Sequence, residues 1–192
     1  MECVKNWVSE QWKEKKFRIL TMIVLIMMIC LAVEFYFFEY SIVKSIRYLY
    51  LLAGLFIIAW IDSKEKIIPN KILLVLLLSR VCFLLIECLL YKEYWMSLVI
   101  SAASGFLIAG GMFLLCYFLT RGGVGAGDVK LFAVLGFYFG SGPIFTVVFL
   151  TIVYAAVYNI VKLVMKKTDL KQEIPFAPFI FLGTLTTMLL GM

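Results

Sequence analysis

The chain has 192 residues, of which 64% are hydrophobic and 16% charged, against about 45–50% and about 25% in soluble domains. That surplus exceeds what one soluble core can hide, and its apolar runs reach or approach the roughly 20 residues that cross a bilayer. Long uninterrupted runs do not fit the alternation of barrel strands, which leaves an all-α, polytopic transmembrane helix bundle. The formal net charge of +6 lies mostly in short loops, so membrane topology accounts for it and no nucleic-acid partner is implied. The chain has no histidine, which excludes a Ser–His hydrolase and an H-E-x-x-H zinc protease. Acid–base chemistry near neutral pH therefore falls to carboxylates, or to Lys, Tyr or Cys. Cys3, Cys30, Cys82, Cys88 and Cys116 form no C-x-x-C pair, so neither a zinc site nor a disulfide framework is expected, and no metal or cofactor.

Residues 1–16 carry both charges with Trp7 and Trp12 between them, the pattern of a short amphipathic helix at the membrane surface. No small-residue cleavage site follows the first apolar run, so a signal peptide is not expected. Residues 17–192 read as one membrane domain. Span one runs from Phe17 to Phe38, followed by a link from Glu39 to Arg47. Span two runs from Tyr48 to Ile61 and ends at Asp62. A polar segment to Lys71 contains Pro69, suited to a helix start. Span three covers Ile72 to Leu90 and span four Trp95 to Leu119. A glycine-rich loop, Gly122 to Gly127, leads into a short fifth stretch, Val129 to Phe139, which is either tilted, partly re-entrant or extended by the Asp128 turn. The turn Gly140-Ser141-Gly142-Pro143 ends it. Span six covers Ile144 to Met165, a polar link runs from Lys166 to Glu173, and Ile174 to Leu190 closes the chain. The expectation is six to seven spans of unequal length.

Basic residues orient the bundle. Lys5 to Arg18, Lys64, Lys66, Lys71, Arg121, Lys130 and Lys162 to Lys171 fall on one side, and Lys44, Arg47 and Lys92 on the other, with Arg80 inside span three. The positive-inside rule then puts the N-terminus in the cytoplasm, and Asp62, the Asp128 loop and the last polar link on that same face. The expected location is the cytoplasmic (inner) cell membrane, with lipid as the surrounding partner.

The chain contains three aspartates, Asp62, Asp128 and Asp169. Asp169 sits in a charged link and reads as a solvated loop residue. Asp62 and Asp128 each abut an apolar stretch, where a carboxylate costs about 2.5–3.5 kcal/mol at the centre of a span and normally faces a cavity or a partner. Two readings stand: interfacial helix caps, or a working pair. In a pair, two neighbouring carboxylates cannot both ionise easily, so one keeps a proton while the other acts as base on water. Gly122 to Gly127, ahead of Asp128, form a side-chain-poor loop that an extended peptide can approach. A phosphate-binding loop is excluded by spacing.

Three stretches carry a family resemblance: Asp62 with Ile68-Pro69-Asn70; Gly125-Ala126-Gly127-Asp128-Val129-Lys130-Leu131, followed by Gly136 and Gly140; and Ile174-Pro175-Phe176-Ala177-Pro178-Phe179. In this order they resemble the type IV prepilin peptidases, GxGD membrane aspartyl proteases related to archaeal preflagellin peptidases. The resemblance implies an aspartic endopeptidase with Asp62 and Asp128 as its catalytic dyad. It implies a prepilin-like membrane substrate whose short basic leader is cut off at the cytoplasmic membrane face, commonly after a glycine. Gly125, Gly127, Pro69, Asn70, Pro175, Phe176 and Pro178 then support the dyad or receive substrate. Lys130 matches the family lysine after the G-D pair, with dyad tuning and membrane snorkelling both open. The third stretch is expected near the dyad, or as a Pro-containing helix entry.

The chain departs from the larger bacterial members, which add a cytoplasmic domain with paired C-x-x-C motifs and N-methylate the new terminus; methyl transfer is not expected here. Ala177 also stands where glycine is common. Glu65 and Glu173 are the acids nearest the pair and are expected to help receive a basic leader. Other readings are a same-fold protease for another membrane or peptide precursor, an Asp-dependent small transporter or channel, and an inactive scaffold. Oligomeric state has no signature in the sequence.

Overall fold

The computed structural model describes residues 14–120, 123–165 and 174–191. Most of the expected amphipathic segment, Arg121, Gly122 and the Lys166–Glu173 link with Asp169 and Glu173 lie outside the described residues. Among the described residues there are seven α-helices and no strand: α1 (Lys15–Phe37), α2 (Ile42–Glu65), α3 (Asn70–Leu90), α4 (Trp95–Leu119), α5 (Ala126–Phe139), α6 (Pro143–Val164) and α7 (Ala177–Leu189). Five of them, α1 to α4 and α6, are long and apolar enough to cross a membrane. The protein is a multi-pass helical membrane protein. The two remaining helices have 14 and 13 residues, so each extends only about 20 Å at about 1.5 Å per residue, short of the roughly 30 Å hydrocarbon core. They occupy the places of the fifth and last expected stretches.

The chain divides into two compact units, Met1–Tyr40 and Ser41–Met192. In the first, α1 ends in a left-handed turn at Glu39 (φ 53°). The Tyr40 N–H donates to the Phe35 carbonyl at 3.0 Å and the Glu39 N–H to that of Tyr36 at 3.3 Å. This is the double return bond of a Schellman stop. The apolar contact that usually accompanies it is the Phe35–Tyr40 ring stack, with centroids 5.0 Å apart.

In the second unit the short helices are the interior ones. Helix α5 buries Leu131, Phe132, Leu135 and Tyr138, and α7 buries Ile180, Thr184, Leu185 and Thr187. The longer helices keep exposed apolar faces, such as Leu74, Leu78 and Leu85 on α3 and Leu107 and Leu115 on α4, as lipid-facing helices do. The most extensive contact joins α4 to α5, and α7 packs on both α6 and α2. Gly105 and Gly136 make the first contact possible: a Cβ on either would run into the other's carbonyl. With no hydrophobic force between helices in lipid, such small-residue approaches and buried hydrogen bonds do the joining. Tyr138 supplies one, its hydroxyl donating to the Leu76 carbonyl at 3.0 Å and pairing with Ser79 Oγ at 2.8 Å.

Helix α2 differs from expectation at both ends. It begins at Ile42 rather than Tyr48, and it continues through Asp62 to Glu65. The early start takes in Arg47, whose charge is accommodated because Glu87 of α3 accepts its guanidinium at 2.6 Å. Glu87 also accepts Arg80 at 2.8 Å, and all three side chains are buried.

Candidate active site

Asp62 lies in the last turn of α2 and is only 6% exposed. The helix stops just beyond it, where the Lys66 N–H returns to the Asp62 carbonyl at 2.9 Å and Lys66 takes a left-handed conformation (φ 54°). The Asp62 side chain faces the start of α7: its Oδ2 accepts the Ala177 backbone N–H at 2.9 Å, and the Phe176 N–H also reaches it. The first N–H groups of any helix lack intrahelical partners, and α7 has no side-chain cap of its own. Asp62 therefore caps α7 from another helix, at the end where the helix dipole favours an anion.

Asp128 is the third residue of α5, after the N-cap Gly125. Its half-buried side chain folds back to the Gly125 N–H, the return arm of a capping box. The fold-back sits tightly on Gly125: a Cβ there would stand 2.9 Å from Asp128 Oδ2, so the carboxylate would have to shift. Gly127 serves a different contact. A Cβ at this position would stand 3.0 Å from Ile68 Cβ, so the α5 start lies directly on the Ile68-Pro69-Asn70 stretch. Three residues on, Lys130 Nζ donates to Asn70 Oδ1 at 3.1 Å.

The three sequence stretches thus meet. Asp62 and Asp128 line one cleft of about 460 Å³, walled by Lys66, Phe113, the Gly123–Gly125 loop and Ile174–Phe176. The carboxylates are near enough for their charges to act on each other. Phe113 is held by a close ring stack on Phe132, centroids 3.6 Å apart, and Phe132 also lies against Phe176 at 6.2 Å. Both carboxylates face one cleft with room for water, beside a loop poor in side chains. Among the described residues no group of three or more His, Cys, Asp or Glu gathers.

Of the other expected site residues, some line this cleft and some fall around it. Pro69 is the N-cap of α3 and Asn70 its first residue. Pro178 lies in the first turn of α7, and Pro175 and Phe176 line the cleft. Glu65 is exposed at the end of α2 and is not part of the cleft wall. Two wall residues were not among the expected site residues. Lys66 enters because the left-handed turn brings the chain back after Asp62. Phe113 carries no local signal, sitting within the apolar run of α4.

Fold and site together define a polytopic helical membrane protein with a two-aspartate cleft at its helix ends. Comparison with known families narrows it. Residues 49–160 match the model of the type IV leader peptidase family, more than half of the chain, and the chain belongs to that family. A prepilin leader peptidase/N-methyltransferase of Bacillus subtilis is 34% identical over 137 residues, covering 71% of this chain and 52% of the relative. One from Burkholderia pseudomallei is 30% identical over 148 residues, covering 73% of this chain and 45% of the relative. One from Aeromonas salmonicida is 26% identical over 135 residues, covering 70% and 45%. The chain spans about half the length of the curated relatives it matches. No solved structure gives a significant match.

Proposed function

We propose that the protein is an intramembrane aspartyl endopeptidase that removes the short basic leader of prepilin-like precursors at the cytoplasmic face of the inner membrane. The observation that carries this reading is the single cleft shared by Asp62 and Asp128, built from three stretches far apart in sequence. Family membership and the names of the relatives support the substrate class.

In the proposed reaction one carboxylate takes a proton from water as that water attacks the scissile carbonyl, and the other, protonated, donates to the carbonyl oxygen. Hydrogen bonds from the α7 N-terminus favour negative charge on Asp62, so Asp62 serves as the base and Asp128 carries the shared proton. The side-chain-poor loop before Asp128 leaves room for the substrate backbone. Lys66 stands in the same wall, so the basic leader is directed away from it, and Glu65 lies outside the cleft as a solvent-side acid.

The test is incubation of the purified protein in detergent with a precursor carrying a basic leader, a glycine and a hydrophobic helix, followed by sequencing of the new N-terminus. Cleavage at one bond between leader and helix supports the reading. Cleavage of a leaderless helix at the same rate removes the substrate assignment, and no cleavage by folded protein removes the peptidase assignment for this substrate class.

A further inference from the structure

The helices that carry the two aspartates are joined a second time, at the ends away from the cleft. Arg47 on α2 donates through Nη1 to Glu87 Oε1 at 2.6 Å. Glu87, on α3, accepts Arg80 Nη1 on its other oxygen at 2.8 Å. Arg80 Nε in turn donates to the Phe137 carbonyl of α5 at 2.9 Å. A continuous hydrogen-bonded bridge therefore runs from α2 through α3 to α5, and its three charged side chains are all buried. Rings extend it. The Arg47 guanidinium lies over Tyr48, whose ring stacks on Phe139 of α5 with centroids 5.1 Å apart.

Stability is a weak reason for such a bridge, since buried ion pairs are often replaced by apolar side chains of similar volume at no loss. What directed bonds add is orientation. Phe137 lies in the last turn of α5, where carbonyls lack intrahelical partners. Arg80 thus caps α5 at the end that favours a cation, and Asp128 lies in the first turn of the same helix. The Tyr138 hydroxyl makes a parallel bond to the Leu76 carbonyl of α3 at 3.0 Å. Helix α5 has little direct backbone contact with α2, whereas α3 packs on both.

We propose that Arg80 is a positioning residue for the aspartate pair: the Arg47–Glu87–Arg80 bridge sets the angle between α2 and α5, and through it the separation of Asp62 and Asp128. The proposal rests on the peptidase reading for its kinetic consequence only. Fifteen residues separate Arg47 from Asp62 and nine separate Asp128 from Phe137. These are lever arms of about 22 Å and about 14 Å at about 1.5 Å per residue. A change of about 5° in the direction of either helix moves its carboxylate by about 1–2 Å over such lengths. Misplacement by about 1 Å, caused far from the reacting atoms, can cost about a hundredfold in rate.

The experiment uses the full chain with its five native cysteines replaced by serine. Nitroxide labels are attached through Glu65→Cys and Ala126→Cys, both exposed, at the end of α2 and the start of α5. Dipolar electron paramagnetic resonance reads the distance between them. Arg80→Lys keeps a cation beside Glu87 but lacks the planar fork that serves Glu87 and the Phe137 carbonyl together. Tyr138→Phe weakens the same α3–α5 joint while keeping the ring, and it is the second variant where Arg80→Lys does not fold. In both, the label distance is expected to shift or broaden. In the unlabelled variants, assayed well below Tm, kcat is expected to fall about tenfold for Arg80→Lys and about threefold for Tyr138→Phe, with KM unchanged. A cluster that serves stability alone lowers Tm and leaves the distance and kcat of the folded protein as in wild type; that result overturns the proposal. So does a changed distance with unchanged kcat. If wild type cleaves no precursor, the peptidase reading fails, and the label distance alone decides whether the bridge sets the helix angle.

Discussion

The Asp62 carboxylate and the Ala177 backbone N–H share a 2.9 Å hydrogen bond, which ties the last turn of α2 to the first turn of α7 across more than a hundred residues of chain. One aspartate is therefore held by backbone rather than by a mobile side chain. Replacing Ala177 by proline removes this N–H and suits the first helical position, while also pressing on Phe176, which precedes it in a right-handed helical conformation (φ −97°, ψ −28°). A hydrogen bond to a charged group contributes about 1.5–3 kcal/mol. In Ala177→Pro, kcat is expected to fall by on the order of ten- to a hundredfold, with KM little changed. Steady-state kinetics on a cleavable precursor checks this; an unchanged kcat contradicts a positioning role for α7.

The contact between Gly127 and Ile68 gives a second prediction. A Cβ at position 127 would stand 3.0 Å from Ile68 Cβ, and overpacking of this kind costs about 1–3 kcal/mol. Gly127→Val is expected to lower both Tm and kcat/KM, and the added substitution Ile68→Ala to recover a substantial part of each. Lack of any recovery in the double variant would show that the glycine acts through something other than this approach.

Lys130 and Asn70 make an exposed hydrogen bond at 3.1 Å, for which about 0.5–1.5 kcal/mol is the ordinary scale. Lys130→Met and Asn70→Ala should each cause a small loss of stability, and the double variant should lose no more than either single one. Additive losses in a double-mutant cycle count against the pairing. A loss of activity confined to Lys130→Met would point to a separate role for the lysine at the carboxylates.

Glu87 is bonded to two buried arginines, so removing its charge strands both. Breaking a buried ion pair from one side typically costs about 3–5 kcal/mol. Glu87→Ala is expected to lower Tm by many degrees or to prevent recovery of folded protein, whereas Glu65→Ala, at an exposed site, should leave Tm unchanged. Equal Tm values for the two variants would contradict the clustered arrangement.

Much of the fold was legible from uninterrupted apolar runs. The ends of α4 coincide with the expected Trp95 and Leu119, because polar or glycine-rich stretches bound the run on both sides. The start of α2 was not legible. Lys44 and Arg47 read as a polar link, yet Arg47 belongs in the helix because Glu87, forty residues later, accepts it; no local pattern announces such a pairing. The meeting of the three motifs could be expected from resemblance alone, whereas their means of contact could not. Capping of α7 by Asp62, the Gly127–Ile68 approach and the entry of Lys66 through a left-handed turn all depend on tertiary geometry. The placement of Glu65 outside the cleft has the same origin: it lies one residue before the chain turns.

The central claim, that Asp62 and Asp128 act as one unit, is tested most directly by precursor cleavage with Asp62→Asn, Asp128→Asn and the double variant, all confirmed as folded by thermal unfolding. Residues acting as a unit show strongly non-additive losses. The account predicts that either single variant abolishes cleavage and that the double variant is no worse. Persistent cleavage in either single variant, or independent multiplicative losses, would contradict it.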